Sequence, residues 1–165
     1  MSDDNRLWDF ALKIYSDPEV AATCLRLQDD FGLSVNRLLF AIWLAREKRL
    51  LGGQLLDDRQ LSEWHDSVLL PLRQLRYRVR EQRQQQSLDK QGFNNCYQQF
   101  KQAELEAERV ELNRLYQLAD DCCASERDLS DLARSNLRAC LQHRNIKPSA
   151  SLEALLEMLI IKLKP

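Results

Sequence analysis

The strongest constraint on the fold is an unbroken apolar run from Leu38 to Ala45, within the stretch LQDDFGLSVNRLLFAIWLA. A membrane-spanning helix needs about 20 apolar residues, so this run is too short to cross a bilayer. As a helix it is apolar on every side, and such a helix is buried inside a protein. We therefore predict a central buried helix over residues 35–50, with other helices packed around it. Asn36 and Arg37 precede the apolar run as its polar flank.

Helical periodicity extends through the rest of the chain. Apolar residues recur every three or four positions in almost every segment, and no segment shows the alternation of a strand. Only 4 Gly and 4 Pro are present, which disfavours an all-β fold with many tight turns. The sequence predicts an all-α, multi-helix bundle of about six to eight helices. With 165 residues, we expect one helical domain over 1–165, with an exposed turn or mobile loop at 87–95.

Charge and cysteine content exclude several classes of protein. The net charge of −1 argues against a dedicated nucleic-acid binder, because phosphate neutralisation requires a positive excess. The N-terminus MSDDNRLWDF has no basic stretch followed by an apolar region, so it is not a secretory signal. Five cysteines, an odd number without a C-x-x-C pair, indicate free thiols in a reducing cytoplasm. We expect a cytoplasmic protein without membrane insertion.

The best-patterned polar feature is a line of arginines spaced three, four and three residues apart. On a helix these side chains share about a quarter of the circumference. Residues 72–86 hold five arginines and one glutamate, a net charge of +4, whereas residues 104–131 carry −6. In an antiparallel hairpin turning near residue 90, index sums near 180 place Arg76 opposite Glu104 and Arg73 opposite Glu108. The arginines of the line, our partner-binding candidates, are Arg73, Arg76, Arg80 and Arg83.

Two interpretations of this line remain open. In the first, glutamates of the following helix pair with the arginines, and the pairs fix which helices are neighbours. Such pairs at a surface would contribute about 0.2–1 kcal/mol each. In the second, the arginines bind RNA, a phosphorylated ligand or an acidic partner through their forked donors. Tyr77 could then stack on a base.

Other motifs have structural explanations. Asp30-Phe31-Gly32 resembles the metal-binding triplet of kinases, but the chain has no glycine-rich nucleotide loop, and Gly32 fits the end of a helix. Three pairs of adjacent aspartates each lie near an expected helix end, where capping explains them. Cys122 and Cys123 lack the spacing of a redox pair. We expect no metal site and no cofactor, and we assign no catalytic residue.

A secondary pocket is the remaining possibility for chemistry. Trp64-His65-Asp66 is the one place where an imidazole stands beside a carboxylate, although neighbouring helix residues point apart. A small-molecule-binding or catalytic helical bundle could use Asp29, Trp64 and His65, provided that they line a concave pocket.

Part of the chain resembles a known family. The stretch LWDFALKIYSDPEVAATCLRLQDDFGLSVNRLLFAIWLA, residues 7–45, and WHDSVLLPLRQLR, residues 64–76, resemble small proteobacterial proteins that share a domain of unknown function. The resemblance covers roughly the first 85 residues and implies a cytoplasmic bacterial protein with an all-helical fold. It carries no catalytic residues across. Its motif positions are Trp8, Asp29, Asn36, Trp43, Trp64, His65, Pro71 and Arg73.

These observations favour a non-catalytic helical interaction or regulatory protein over an enzyme. The expected partner is another protein. The alternative is an RNA- or ribosome-associated protein that uses the arginine-striped helix at 73–83. The sequence leaves the identity of the partner and the oligomeric state open.

Overall fold

The computed structural model describes residues 5–85 and 89–163, and this part of the chain is almost entirely helical. The all-α prediction is confirmed. A turn of π-helix, His65–Leu69, joins α4 to α5, so that residues 59–85 form one continuous helix. The helices are α1 Arg6–Tyr15, α2 Pro18–Phe31, α3 Val35–Arg46, α4 Arg59–Trp64, α5 Leu70–Gln85, α6 Lys90–Leu118, α7 Leu129–His143 and α8 Ala150–Ile161.

The chain divides into two compact units. The first unit comprises residues 1–58 and 112–165, and the second comprises Arg59–Glu111. The expected single domain over 1–165 stays a prediction. Among the described residues, no helix is both long enough and apolar enough to cross a membrane.

Helix α3 is the centre of the first unit. Its residues from Asn36 to Ala45 are all buried, and it packs most extensively against α7. Trp43 packs between Phe40 of its own helix and Tyr116, with ring centroids 6.2 Å and 5.6 Å apart. The predicted central helix is therefore present, and the apolar run is its core.

The ends of α2 and α3 follow from local sequence. Asp17 caps α2 ahead of Pro18 by accepting a hydrogen bond from the Glu19 N–H. Gly32 closes α2 at a φ of 66°, a left-handed conformation that favours glycine. Asp30-Phe31-Gly32 is thus a helix end, as the sequence indicates.

A short antiparallel pair of strands follows α3, where the sequence predicts more helix. Strand β1, Arg49–Leu50, pairs with β2, Cys123–Ala124. Helix α3 ends at Arg46 instead of residue 50, because the chain turns through Lys48 at a φ of 57°. Two-residue strands are too short to show an alternating pattern, which explains why the sequence does not reveal them.

The second unit contains an antiparallel helical hairpin. Its first arm is the continuous helix 59–85, and its second arm is the part of α6 up to Glu111. The π-helical turn lies directly before Pro71, and in it the Leu70 N–H donates to the His65 carbonyl. Proline has no N–H to donate, so a locally widened helix accommodates it without a break.

The turn expected at 87–95 needs a correction over its described part. Residues 87 and 88 lie outside the described residues, and residues 90–95 are helical. The Asp89 carboxylate caps α6 by accepting a hydrogen bond from the Gly92 N–H at 2.9 Å. A Cβ at Gly92 would collide with that carboxylate, so glycine here permits a helix cap.

Candidate functional site

The arginine line on α5 is divided between two environments. Arg73 and Arg76, nearest the start of α5, face the glutamates of α6. Arg73 Nε donates to Glu104 Oε1 at 2.9 Å, and Arg73 Nη2 donates to Glu108 Oε1 at 3.1 Å. Arg76 also pairs with Glu104. The pairs expected from the hairpin register are present, and Glu104 bridges both arginines.

These ion pairs lie inside the hairpin. The side chains of Arg73, Arg76 and Glu104 are 11%, 16% and 8% exposed. Burial lowers the pKa of Arg76, but the hydrogen bond and the charge of Glu104 outweigh it, and the pKa is raised. Breaking a buried pair costs about 3–5 kcal/mol, far more than breaking a surface pair. The first two arginines of the line therefore hold the hairpin together.

Glu108 has an unusual acidity for a glutamate. Burial raises its pKa to about 7, Arg73 opposes this shift, and the nearby charges of Glu104 and Glu111 add to it. Burial is the largest cause, and Arg73, the guanidinium that contacts Glu108, does not offset it together with the repulsion from the two neighbouring glutamates. Glu108 is consequently part of a structural cluster and titrates near neutral pH.

Trp64 and His65 contact the same helix as the arginines. The Trp64 Nε1–H donates to the Ala107 carbonyl at 2.9 Å, and His65 Nδ1 lies 2.9 Å from Glu111 Oε1. Asp29, the third member of the expected pocket, is an exposed residue of α2 in the first unit. The pocket at these residues stays a prediction.

The rest of the arginine line lies towards the turn of the hairpin. We define the hairpin tip as residues 77–85 and 89–101. Arg80 lies over the Tyr77 ring, 4.8 Å from its centroid, and Arg83 lies 4.6 Å from the centroid of Tyr97. Among the described residues, neither arginine forms an ion pair with a carboxylate. These guanidinium groups are held by aromatic rings and keep their charge uncompensated.

The hairpin tip differs in composition from the hairpin base, residues 59–76 and 102–111. The tip has five Lys and Arg residues against two acidic ones, a net charge of +3, whereas four basic and six acidic residues give the base −2. Eight Gln and Asn residues add neutral donors and acceptors to the tip. Arg83, Lys90, Gln91 and Asn94 line a shallow depression there. The tip is a cationic, hydrogen-bonding surface.

The residues of the candidate metal sites are not grouped into a site in the described parts of the chain. No three His, Cys, Asp or Glu side chains there are grouped to hold a metal ion. One member of each aspartate pair forms an ion pair with an arginine: Asp30 with Arg26, Asp58 with Arg114 and Asp120 with Arg49.

The adjacent thiols have different environments. All five cysteines are free, with Cys122 buried and Cys123 exposed. Burial raises the pKa of Cys122 to about 11, so it has little thiolate at neutral pH. Cys122 therefore lacks the activated thiolate of a redox centre.

One buried charge in the first unit is not anticipated by the sequence analysis. Arg37, taken as a polar flank of the apolar run, is only 7% exposed, and its Nη1 lies 3.3 Å from His143 Nδ1. A helix that is buried on all sides from its first turn must also bury a charged residue in that turn. That signal is present in the sequence, but the position of His143 is set by tertiary packing.

A family model covers most of the chain. A family model with the description "Protein of unknown function (DUF2390)" matches residues 6–115, which extends beyond the stretch where the resemblance is seen by eye. No curated protein and no solved structure matches the chain.

Proposed function

The chain belongs to the DUF2390 family of proteins of unknown function, and from this premise we propose that it is a non-catalytic interaction protein that binds an acidic surface of another protein through the hairpin tip. The observation that carries the proposal is the divided arginine line. Arg73 and Arg76 are neutralised inside the hairpin, whereas Arg80 and Arg83 are held over tyrosine rings and have no carboxylate partner among the described residues.

The hairpin separates its structural charges from its binding charges. The base supplies the glutamates that fix the register of α5 against α6. The tip then presents arginines whose stacking on tyrosine limits their rotamer freedom. A side chain that is already ordered loses less entropy on binding, and the guanidinium fork matches a carboxylate. Free cysteines support a reducing cytoplasm as the compartment of this role.

An RNA partner is the second candidate function. The positive charge and the amide groups of the tip would suit phosphate and base contacts. Tyr77 is less available for base stacking than the sequence indicates, because Arg76 and Arg80 both lie over its ring at 4.8 Å. A base could stack on that ring only by displacing a guanidinium, and this favours a protein partner.

The test compares two charge-reversed proteins of equal charge. The tip variant carries Arg80→Glu and Arg83→Glu, and the matched control carries Arg127→Glu and Arg138→Glu on exposed positions of the first unit. Partners are captured from a lysate of the native organism and quantified by mass spectrometry, with and without nuclease. We expect the tip variant to lose a protein partner that the wild type and the control retain.

The outcomes of this capture experiment separate the two candidates. A partner that resists nuclease and weakens with salt supports the acidic protein surface. A partner that disappears after nuclease treatment supports RNA. Equal recovery by the tip variant and the wild type contradicts binding through the tip.

A further inference from the structure

Arg37 carries a buried positive charge that the fold does not neutralise. The residue lies in the first turn of α3, which contains no acidic residue. Its Nε is the buried side-chain nitrogen or oxygen without a hydrogen-bond partner in the described chain. No carboxylate forms an ion pair with Arg37 within 5–85 and 89–163. Buried charges are ordinarily paired and hydrogen-bonded, so this cation lacks a counterpart.

The geometry around His143 shows which group faces the cation. Arg37 Nη1 lies 3.3 Å from His143 Nδ1, and His143 Nε2 lies 3.0 Å from Asp57 Oδ1. A guanidinium has only donors, so Nδ1 must accept, and the Nε2–H then donates to Asp57. His143 is therefore neutral and does not supply the negative charge that Arg37 lacks.

The protonation of His143 depends on the groups around it. Burial lowers its pKa, and Arg37 and Arg144 lower it further, whereas Asp57 raises it. An anion beside Arg37 would cancel the strongest charge that opposes protonation. His143 could then take a proton on Nδ1 and donate it to the same anion, while Nε2–H keeps its bond to Asp57.

The site is close to solvent on one side. His143 has a side chain that is 15% exposed, and the Asp57 side chain is 72% exposed. Asp57 ends the short 3-10 helix Gly53–Asp57, and the next residue, Asp58, is fixed by Arg114 at 2.6 Å. The side of this group that is nearest to solvent is therefore the side of His143 and Asp57, and the chain is anchored there.

We propose that Arg37 and His143 form a binding site for a small oxyanion, the carboxylate or phosphate group of a soluble ligand. The anion accepts hydrogen bonds from Arg37 Nε and from protonated His143. The start of α3 adds to the attraction, because the N-terminal end of a helix carries partial positive charge. This site lies in the first unit and does not depend on the role of the hairpin tip.

Calorimetry with inorganic phosphate and with acetate tests the site. We expect one of these probes to bind at millimolar concentrations, with a net uptake of protons at pH 7.5. Titrations in two buffers with different ionisation enthalpies measure this uptake. Binding of phosphate alone identifies a phosphoryl ligand, and binding of acetate alone identifies a carboxylate ligand. If neither anion binds, the proposal is wrong.

Arg37→Met separates a binding role from a structural one. Methionine removes the buried charge but keeps a long side chain, so we expect the Tm in anion-free buffer to rise by about 2–4 °C. The affinity for the bound anion should fall about 10–100-fold. Arg138→Met, on an exposed residue of α7, should retain the anion response of the wild type. A lower Tm with unchanged anion binding would show that Arg37 serves only the fold.

His143→Gln tests the proton linkage without removing the cation. Glutamine can still accept a hydrogen bond from Arg37, but it cannot be protonated. We expect the anion to bind about tenfold more weakly and without proton uptake. Proton uptake equal to that of the wild type would contradict the assignment of His143, even if Arg37→Met failed to fold.

Discussion

Among single residues, Asn136 contributes most to joining separate backbone segments of the first unit. Its fully buried side chain donates to the carbonyls of Ala41 at 3.1 Å and Arg49 at 3.0 Å, and it accepts from the Leu51 N–H at 2.8 Å. One side-chain amide of α7 thereby forms hydrogen bonds with backbone groups of α3 and of the β1 segment. The sequence shows Asn136 only as a polar residue in a helical pattern, because its partners lie 85 to 95 positions away.

Asn136→Ala should be one of the most destabilising single substitutions in the first unit. It leaves the Leu51 N–H without its side-chain acceptor and removes one donor from each of the two carbonyls, and a buried polar group left without a partner costs about 1–3 kcal/mol. We expect a loss of more than about 2 kcal/mol in the free energy of unfolding, measured by urea denaturation. Ser135→Ala, at the neighbouring half-buried position, is the control and should change little. If Asn136→Ala lowers the free energy of unfolding no more than Ser135→Ala does, water replaces the hydrogen bonds of the lost amide.

Glu108→Gln should change the pH dependence of stability. The pKa of Glu108 is about 7 in the fold and near 4.5 for an ordinary glutamate, so the folded state binds more protons between these values. Its contribution to stability is therefore full below pH 4.5 and is lost as the pH rises through 7. Glutamine cannot ionise, so the variant should be more stable than the wild type at pH 8, on the order of 1 kcal/mol.

Urea denaturation at pH 5 and pH 8 measures this difference. Glu106→Gln, at an exposed position of the same helix, provides the control and should show the pH profile of the wild type. If the stability of Glu108→Gln falls between pH 5 and pH 8 as steeply as that of the wild type, another group is responsible for the pH dependence.

At the level of secondary-structure elements, the seam of the hairpin is polar where a helix pair ordinarily has an apolar stripe. Helix α5 has no buried residue of its own, and its inner face meets α6 through Arg73 and Arg76. The charge spacing in the sequence predicts these neighbours and their register. The burial of the pairs is not evident from spacing, because it depends on how closely the helices approach.

Glu104→Leu should strongly destabilise the hairpin. The change leaves two half-buried guanidinium groups without their shared, buried carboxylate, and we expect a cost of about 3–5 kcal/mol. Adding Arg76→Leu should recover part of this loss, because an apolar pair of similar volume is tolerated better than an unpaired charge. Urea denaturation of the single and double variants measures the coupling between the two positions.

The control for this cycle is Glu106→Leu, which changes an exposed charge on the same helix and should stay within about 0.5 kcal/mol of the wild type. Additive effects of Glu104→Leu and Arg76→Leu would show that the pair is not coupled.

The sequence predicts the all-α fold and the central helix for a physical reason. Helical period and the apolar run are local, so they indicate the fold class, the end of α2 at Gly32 and most of α3. The π-helical turn, the strand pair and the contact between Arg37 and His143 are decided by tertiary packing. The local sequence pattern therefore does not predict them.

Across the whole molecule, burial is distributed unequally between the two units. Among the residues that the structure describes, the buried side chains of the second unit are Leu61, Leu69, Ala107, Glu104 and Glu111, whereas most of the apolar core belongs to the first unit. Stability against local opening follows buried apolar contact, so the two units should differ in backbone protection.

Hydrogen exchange followed by mass spectrometry tests this difference. We expect the amides of α3 and α7 to exchange most slowly and those of α5 after Arg76 to exchange fastest among the helices, because α5 buries no residue. Helix α8, whose apolar inner face is buried, is the internal reference for slow exchange. Equal protection of α3 and α5 would contradict this ranking.

The polar seam of the hairpin also gives the second unit its own response to temperature. Apolar burial weakens on cooling, since hydration of hydrocarbon surface becomes less unfavourable. The penalty for dehydrating paired charges, by contrast, declines on warming. A helix pair closed by Glu104 and its two guanidinium groups should thus have a small heat capacity of unfolding, and its stability curve should be flatter than that of the α3 core.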